Sequence, residues 1–286
     1  MEKKNFAEQE NHPVLFHNEE EFKAAMNVVA FVAFLFRDIR ILTFEIMDNH
    51  FHFALSGTAE QIPLFTKNLV SKLTSHPTLS DSVPDIRKLS FRSYLISDLN
   101  GLRNVIAYVN RNGAVVFPNE NVFTYEWGAN RYFFNREARL RYRDCGHFPT
   151  IREKREIFRS NLLAGESKIT TLDGIVSPMS YCHIAEAESF FRNSRNYFYC
   201  ISRNVEASKE IAKNIGESIF YTDDDLFVHI STLCSKKYGE RSVTTLPKEA
   251  KIEIAKELHF DYNAGNKQIS RLLKMEMPVI SALFPE

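Results

Sequence analysis

The chain has little that would commit it to a simple class. Its 286 residues include a single Trp and only 4 Cys. Cys145, Cys182, Cys200 and Cys234 are scattered, and no two sit at the CxxC spacing that a zinc ribbon needs. That usage fits a reduced, cytoplasmic setting. Net charge is also missing, since 36 Lys+Arg balance 36 Asp+Glu. The balance excludes a protein that coats nucleic acid by bulk attraction, though not one with a local basic groove. The most apolar stretch, Val28 to Phe36, is far too short to span a bilayer, so no membrane partner is expected. Met1 to Asn11 is polar and charged, unlike a secretory leader. No internal repeat or low-complexity tract interrupts the chain.

What is present is ordinary for a soluble globular protein, with 44% apolar and 25% charged residues. The length allows two domains and an ample core. Phenylalanine is abundant, at 24 copies, which suits dense packing.

Periodicity and capping signals divide the first half into short elements. Pro13 to Phe16 has the look of a short strand. Asn18 with Glu21 makes a capping box, opening a helix from Glu19 to Phe36 whose second half is apolar all round. Arg40 to Met47 and His50 to Leu55 read as strands. Asp48-Asn49 between them suits a tight turn, because both residues tolerate positive φ. Thr58 and Gln61 cap a second helix, reaching about Ser75. A polar loop follows, then a strand over Leu89 to Ile96. Asp98 caps a helix that Gly113 is expected to stop. The order β-α-β-β-α-β-α predicts an α+β sandwich with a central antiparallel sheet. Beyond it the pattern is helical: Pro178 to Arg192, Val205 to Ile215, Asp223 to Lys237 and Leu246 to His259, then two short helices within Asn266 to Phe284. The expected organisation is a first domain over 1–127, a basic helical connector over 128–200 and a helical C-terminal domain over 201–286.

Two places could carry chemistry. On a strand, side chains alternate, so His50 and His52 share one face while Phe51 and Phe53 take the other. Two neutral imidazoles on one face make half a divalent-metal site. A chance HxH in a chain with 9 His remains the bland alternative. On the helix Leu99 to Asn112, Tyr108 and Asn112 are four residues apart and therefore neighbours. A tyrosine hydroxyl beside a metal loses its proton more readily and can attack phosphorus. The Asn112 carbonyl oxygen offers a further metal ligand. Otherwise Tyr108 is a boundary aromatic and Asn112 an ordinary helix-end residue.

Together these pieces resemble a known family. Ile46-Met47-Asp48-Asn49-His50-Phe51-His52-Phe53-Ala54-Leu55 is similar to the HUH motif of single-tyrosine transposases. Tyr108-Val109-Asn110-Arg111-Asn112, followed by Gly113, is similar to the catalytic-tyrosine helix of the REP-associated tyrosine transposases. The likeness covers about residues 12 to 125. It departs at Asn112, where insertion-sequence members carry Gln, and at Asn112-Gly113, where many relatives have Asn-Pro. The resemblance implies a ferredoxin-like (RRM-like) HUH sandwich, with His50, His52 and Asn112 holding Mg²⁺ or Mn²⁺. Tyr108 would cleave and rejoin single-stranded, hairpin-bearing DNA through a 5′-phosphotyrosine intermediate. It also makes a monomer or a homodimer the expected assembly. The alternatives are a catalytically silent HUH protein that binds hairpin DNA or RNA as a regulator, and a metallohydrolase that uses His50 and His52 without tyrosine chemistry.

Two further stretches are candidates for DNA contact. Arg131, Arg136, Arg139, Arg141 and Arg143 lie in the basic stretch, where a solvated helix face is the competing explanation. Near the C-terminus the chain has helix-turn-helix proportions. There Ile269, Leu272 and Leu273 read as core, and Asn266, Lys267, Gln268, Arg271 and Lys274 as exposed donors. A structural helical tail is the competing explanation.

Overall fold

Asn18 begins the first helix as its side chain predicts. Its Oδ1 accepts the Glu21 N–H at 3.1 Å and its Nδ2 donates to Glu21 Oε1 at 2.9 Å. Three glutamates, Glu19 to Glu21, then occupy the first turn of α1 (Glu19–Leu35), where the helix dipole favours negative charge. From Ala24 to Phe34 every residue is buried, so this helix has no solvent face over that length. The computed structural model describes residues 13–116, 121–203, 221, 223–240, 242–262 and 264–285. They divide into two compact units, Met1–Ile201 and Ser202–Glu286. The stretch 128–200 lies within the first.

The first unit is built around β1 (Arg40–Ile46) and β2 (Phe51–Ser56), an antiparallel pair in which Glu45 faces His52 and Phe44 faces Phe53. A bulge between Ile41 and Thr43 shifts the register near the start of β1. The Asp48-Asn49 link is a tight turn, closed by the Met47 N–H on the His50 carbonyl at 2.8 Å. Neither residue adopts the positive φ expected of it. The Asp48 carbonyl instead receives the Leu15 and Phe16 N–H groups, at 2.7 and 2.9 Å. Residues 13–16 are therefore not the expected strand: they brace the hairpin turn and bury Leu15 and Phe16.

The sheet does not extend as the alternation of Leu89 to Ile96 suggests. That segment forms no strand, and Phe91 reaches the sheet through its ring, 6.3 Å from Phe51 and 6.4 Å from Phe53. Alternation describes side chains, whereas a strand needs a neighbouring backbone to pair with. The other edge of β1 is covered by short bridges, Ile41 with Cys182 and Glu45 with Gly128. These also break the expected helix from Pro178 to Arg192. The His183 N–H goes to the Ile41 carbonyl at 2.8 Å, leaving a 3-10 turn before the break and a short helix after it.

Helices cover both faces of this ribbon. α2 (Gln61–Thr74) places Phe65 against Phe53, with ring centroids 5.8 Å apart. A short α3 (Val83–Ile86) follows within the polar loop. On the opposite face lies α4 (Leu99–Val116), capped by Asp98, whose Oδ1 accepts the Asn100 and Gly101 N–H groups. α4 runs through Gly113 rather than stopping there. A Cβ at Gly113 would stand 2.3 Å from the Tyr125 ring, so glycine permits a close approach here instead of ending the helix.

The rest of the first unit adds α5 (Arg136–Cys145), α6 (Ile151–Phe158), α7 (Ile184–Ser189) and α8 (Ser194–Arg203). Between α6 and α7 sits a small hairpin, β3 (Thr171–Leu172) and β4 (Ile175–Val176). Asp173 and Gly174 both take positive φ, 54° and 81°, as a type I′ turn requires. Asn27 of α1 holds this hairpin, accepting the Val176 N–H at 2.8 Å and donating to the Gly174 carbonyl at 3.4 Å.

The second unit is helical among its described residues: α9 (Asp223–Lys237), α10 (Lys248–Tyr262), α11 (Asn266–Leu273) and α12 (Met277–Leu283). Leu226, Ile230, Cys234, Ile254, Leu258, Ile269, Leu273 and Ile280 form its core. The helix expected over 205–215 lies outside the described residues. The fold is thus α+β, with two small two-stranded antiparallel sheets among otherwise mainly helical described residues. No helix among the described residues is long and apolar enough to cross a membrane.

Candidate metal and tyrosine centre

Strand alternation places Thr43, Glu45 and His52 on the face that α4 covers. The first links are hydrogen bonds. The Thr43 hydroxyl donates to Asn110 Oδ1, and the Gly113 N–H donates to Glu45 Oε2 at 2.8 Å. Asn110 in turn donates from Nδ2 to the Tyr197 hydroxyl at 2.9 Å. These bonds fix α4 in depth and rotation on the sheet. They set Tyr108 beside His52, edge to face, with ring centroids 5.5 Å apart. Both residues are buried, His52 at 6% exposure and Tyr108 at 5%.

His50 and His52 face each other through Nε2, 2.8 Å apart. His50 Nδ1 meets the Asn49 side-chain oxygen, which can only accept, so that nitrogen carries the proton. That leaves a lone pair on His50 Nε2, and His52 would bind a metal through Nε2 only as the tautomer with its proton on Nδ1. Burial holds the His52 pKa well below its ordinary value, and His50 lowers it further. His52 is thus neutral, the form that ligates metal.

The pair has the dimensions of two adjacent ligands on one ion. Metal–nitrogen arms of ~2.1 Å meeting at ~90° leave their nitrogens ~3.0 Å apart. The sequence placed Asn112 as a third ligand, and α4 carries it one turn beyond Tyr108 on the same flank. Its Nδ2 is buried without a hydrogen-bond partner among the described residues. An unpaired NH2 group does not say where the carbonyl oxygen points, so the fit to a small divalent cation rests on the His50 and His52 pair. Among the described residues, no group of three or more His, Cys, Asp or Glu gathers here or elsewhere.

Glu45 is the functional neighbour that sequence reading missed. It is fully buried, and burial pushes its carboxyl well above the usual range, against the opposing pull of the Gly113 N–H. A charged residue within the apolar run Ile41-Leu42-Thr43-Phe44-Glu45-Ile46, in phase with His52 across the hairpin, was the available signal.

The expected DNA-contact residues fare unequally. Arg131 pairs with Glu126 at 3.1 Å, Arg139 with Glu188 at 2.5 Å, Arg141 with Asp173 at 2.7 Å and Arg143 with Asp144 at 2.7 Å. Of the five, Arg136 alone is exposed with no ion pair among the described residues. Arg131 follows Gly128, which bridges β1 on the edge away from the histidine strand. In the second unit, two donors expected at the surface are structural. Asn266 is buried and donates to the Phe284 carbonyl at 2.9 Å. Gln268 is half-buried and donates to the Tyr221 carbonyl and to Asp223. Arg271 is forked onto Asp223 at 2.6 and 2.8 Å. Lys267 and Lys274 are exposed as expected.

Compared with protein-family models, with curated proteins and with solved structures, the chain matches none.

Proposed function

We propose that this chain is a single-tyrosine strand transferase of the HUH kind, acting on single-stranded, hairpin-bearing DNA. The β1–β2 ribbon between α1/α2 and α4 would be the site-bearing part of a ferredoxin-like sandwich. The observation that carries the reading is the contact of Tyr108 with His52, whose Nε2 is bonded to that of His50. A tyrosine from α4 and two imidazoles from the start of the second hairpin arm, His50 just before β2 and His52 within it, lie side by side.

Each residue has a definable task. His50, His52 and Asn112 would hold Mg²⁺ or Mn²⁺, which supplies stabilisation for charge building on the phosphate oxygens. The Tyr108 oxygen would attack phosphorus as its proton leaves to solvent. The P–O3′ bond breaks, the departing 3′ oxygen takes up a proton, and the 5′ end stays on tyrosine. Attack by another 3′-hydroxyl reverses the step and rejoins strands. Because Tyr108 is buried, the surface over it must open to admit the strand.

The test is incubation with hairpin-bearing single-stranded DNA and Mn²⁺, followed by a denaturing gel. A covalent adduct that Tyr108→Phe abolishes is the expected result. Binding without adduct supports the silent regulator, and cleavage that survives Tyr108→Phe supports the hydrolase.

A further inference from the structure

Away from α4, the end of α2 and the end of α6 bring together Lys72, His76 and Arg159. Lys72 Nζ lies 3.5 Å from the Arg159 carbonyl oxygen and 4.3 Å above the Phe31 ring centroid. His76 follows Lys72 by four residues, just past the end of α2. It is 8% exposed, and its Nδ1 is buried with no partner among the described residues.

No carboxylate among the described residues is hydrogen-bonded to or paired with this cluster. α2 contains neither Asp nor Glu. On α6 and the loop after it, Glu153 serves Thr150 and His147, Glu156 serves Arg152, and Glu166 serves Arg37 and the Lys168 N–H. On the α3 side, Asp85 serves Lys88 and Asp81 serves Ser80. The positive groups feel one another: burial lowers the His76 pKa, and then Arg159 and Lys72 lower it further. Arg159 also holds a left-handed backbone, φ 47° and ψ 43°, at the helix end. Glycine is the ordinary occupant of such a position. Arginine there holds its backbone carbonyl against Lys72 in a conformation that side chains resist.

We infer that Lys72, His76 and Arg159 form a seat for a phosphate group. Lysine supplies a point charge, arginine a planar fork of donors, and the imidazole a buried nitrogen that gains a proton as the anion arrives. The phosphate comes either from a nucleic-acid backbone or from a small phosphate in solution. The seat stands apart from the Tyr108 chemistry and survives if that chemistry fails.

The experiment follows the His76 ring resonance of the full chain by NMR. Inorganic phosphate should move it saturably, and chloride at equal ionic strength should not. Lys72→Met keeps the stem over Phe31, and Arg159→Gly suits the left-handed backbone, so both variants should stay folded, as a thermal melt will show. Each should bind phosphate at least about tenfold more weakly. A 20-nucleotide single strand then separates the sources. If it moves the same resonance, and the double variant flattens the log–log salt dependence by about 1.4, the backbone is the ligand. If it leaves the resonance still while phosphate moves it, a small phosphate is. A His76 resonance indifferent to both probes, or variants that bind like the wild type, would overturn the assignment.

Discussion

The Gly113 N–H donates to the buried Glu45 carboxylate across 2.8 Å, and this bond ties the tyrosine-bearing helix to the strand opposite His52. It explains why α4 continues through a residue that usually ends helices. The backbone comes close to the sheet here, and the Tyr125 ring fills the space a side chain would need.

Gly113→Ala should therefore destabilise the protein. Alanine favours a helix interior by ~1 kcal/mol over glycine. Against that, the added methyl stands 2.3 Å from the Tyr125 ring, which is itself buried and donates to the Ile46 carbonyl. Overpacking of this kind costs about 1–3 kcal/mol. Urea denaturation should show a lower midpoint. A midpoint raised by the substitution would mean that Tyr125 yields freely and that the close approach is not required.

How much of this was legible beforehand depends on where each feature is decided. α1 was readable because its cap and its burial are written in neighbouring residues, Asn18 with Glu21 and the run after Ala24. The histidine face was readable because strand alternation is local. Leu89 to Ile96 misled, since its alternation is local but its pairing partner is not. Gly113 misled for the same reason: Glu45 and Tyr125 lie far off in sequence. Asn266 and Gln268 resemble surface donors because a carbonyl and water accept the same hydrogen bond, and sequence does not say which is there. The β3–β4 hairpin carried a turn signal, Asp173-Gly174, but strands of two residues are too short for any period to register.

Glu45 should make stability depend on pH. Its folded pKa lies well above 4.5, so between that value and the folded one the native state binds more protons than the unfolded chain. Stability is then greatest below about pH 4.5 as far as this group is concerned, and falls as pH rises through the folded value. Glu45→Gln keeps an acceptor for the Gly113 N–H and removes the titration. The variant should be more stable than the wild type at neutral pH, with the difference shrinking toward acid. Melting curves over pH 4 to 8, in steps of about one unit, would measure it. A constant difference across that range would assign the effect to packing instead.

Tyr197→Phe tests the polar chain that fixes the rotation of α4. The Tyr197 hydroxyl accepts from Asn110, which also receives the Thr43 hydroxyl. Removing one oxygen leaves a buried Asn110 N–H unpaired, a loss of about 1–3 kcal/mol. Asn110→Leu with Tyr197→Phe removes both ends of that bond, so the double variant should lose less than the sum of the two single variants. Strict additivity would show that the two groups act independently.

Asp223→Asn asks what Arg271 does when it is released. Asp223 is held below the ordinary carboxylate range by Arg271 first and Gln268 next, and both partners of the ion pair are more than a third exposed. Exposed pairs contribute little, so the stability cost should stay within ~1 kcal/mol. The amide keeps an oxygen for the Gln268 bond but no longer neutralises the guanidinium. If α11 presents Lys267, Arg271 and Lys274 to DNA, one more free cation should tighten oligonucleotide binding, and the log–log salt slope should steepen by about one. Anisotropy titrations at several salt concentrations give both quantities. Unchanged affinity and slope would make Arg271 a structural clamp on α9, as its fork onto Asp223 already allows, and would remove α11 from the DNA-contact surface.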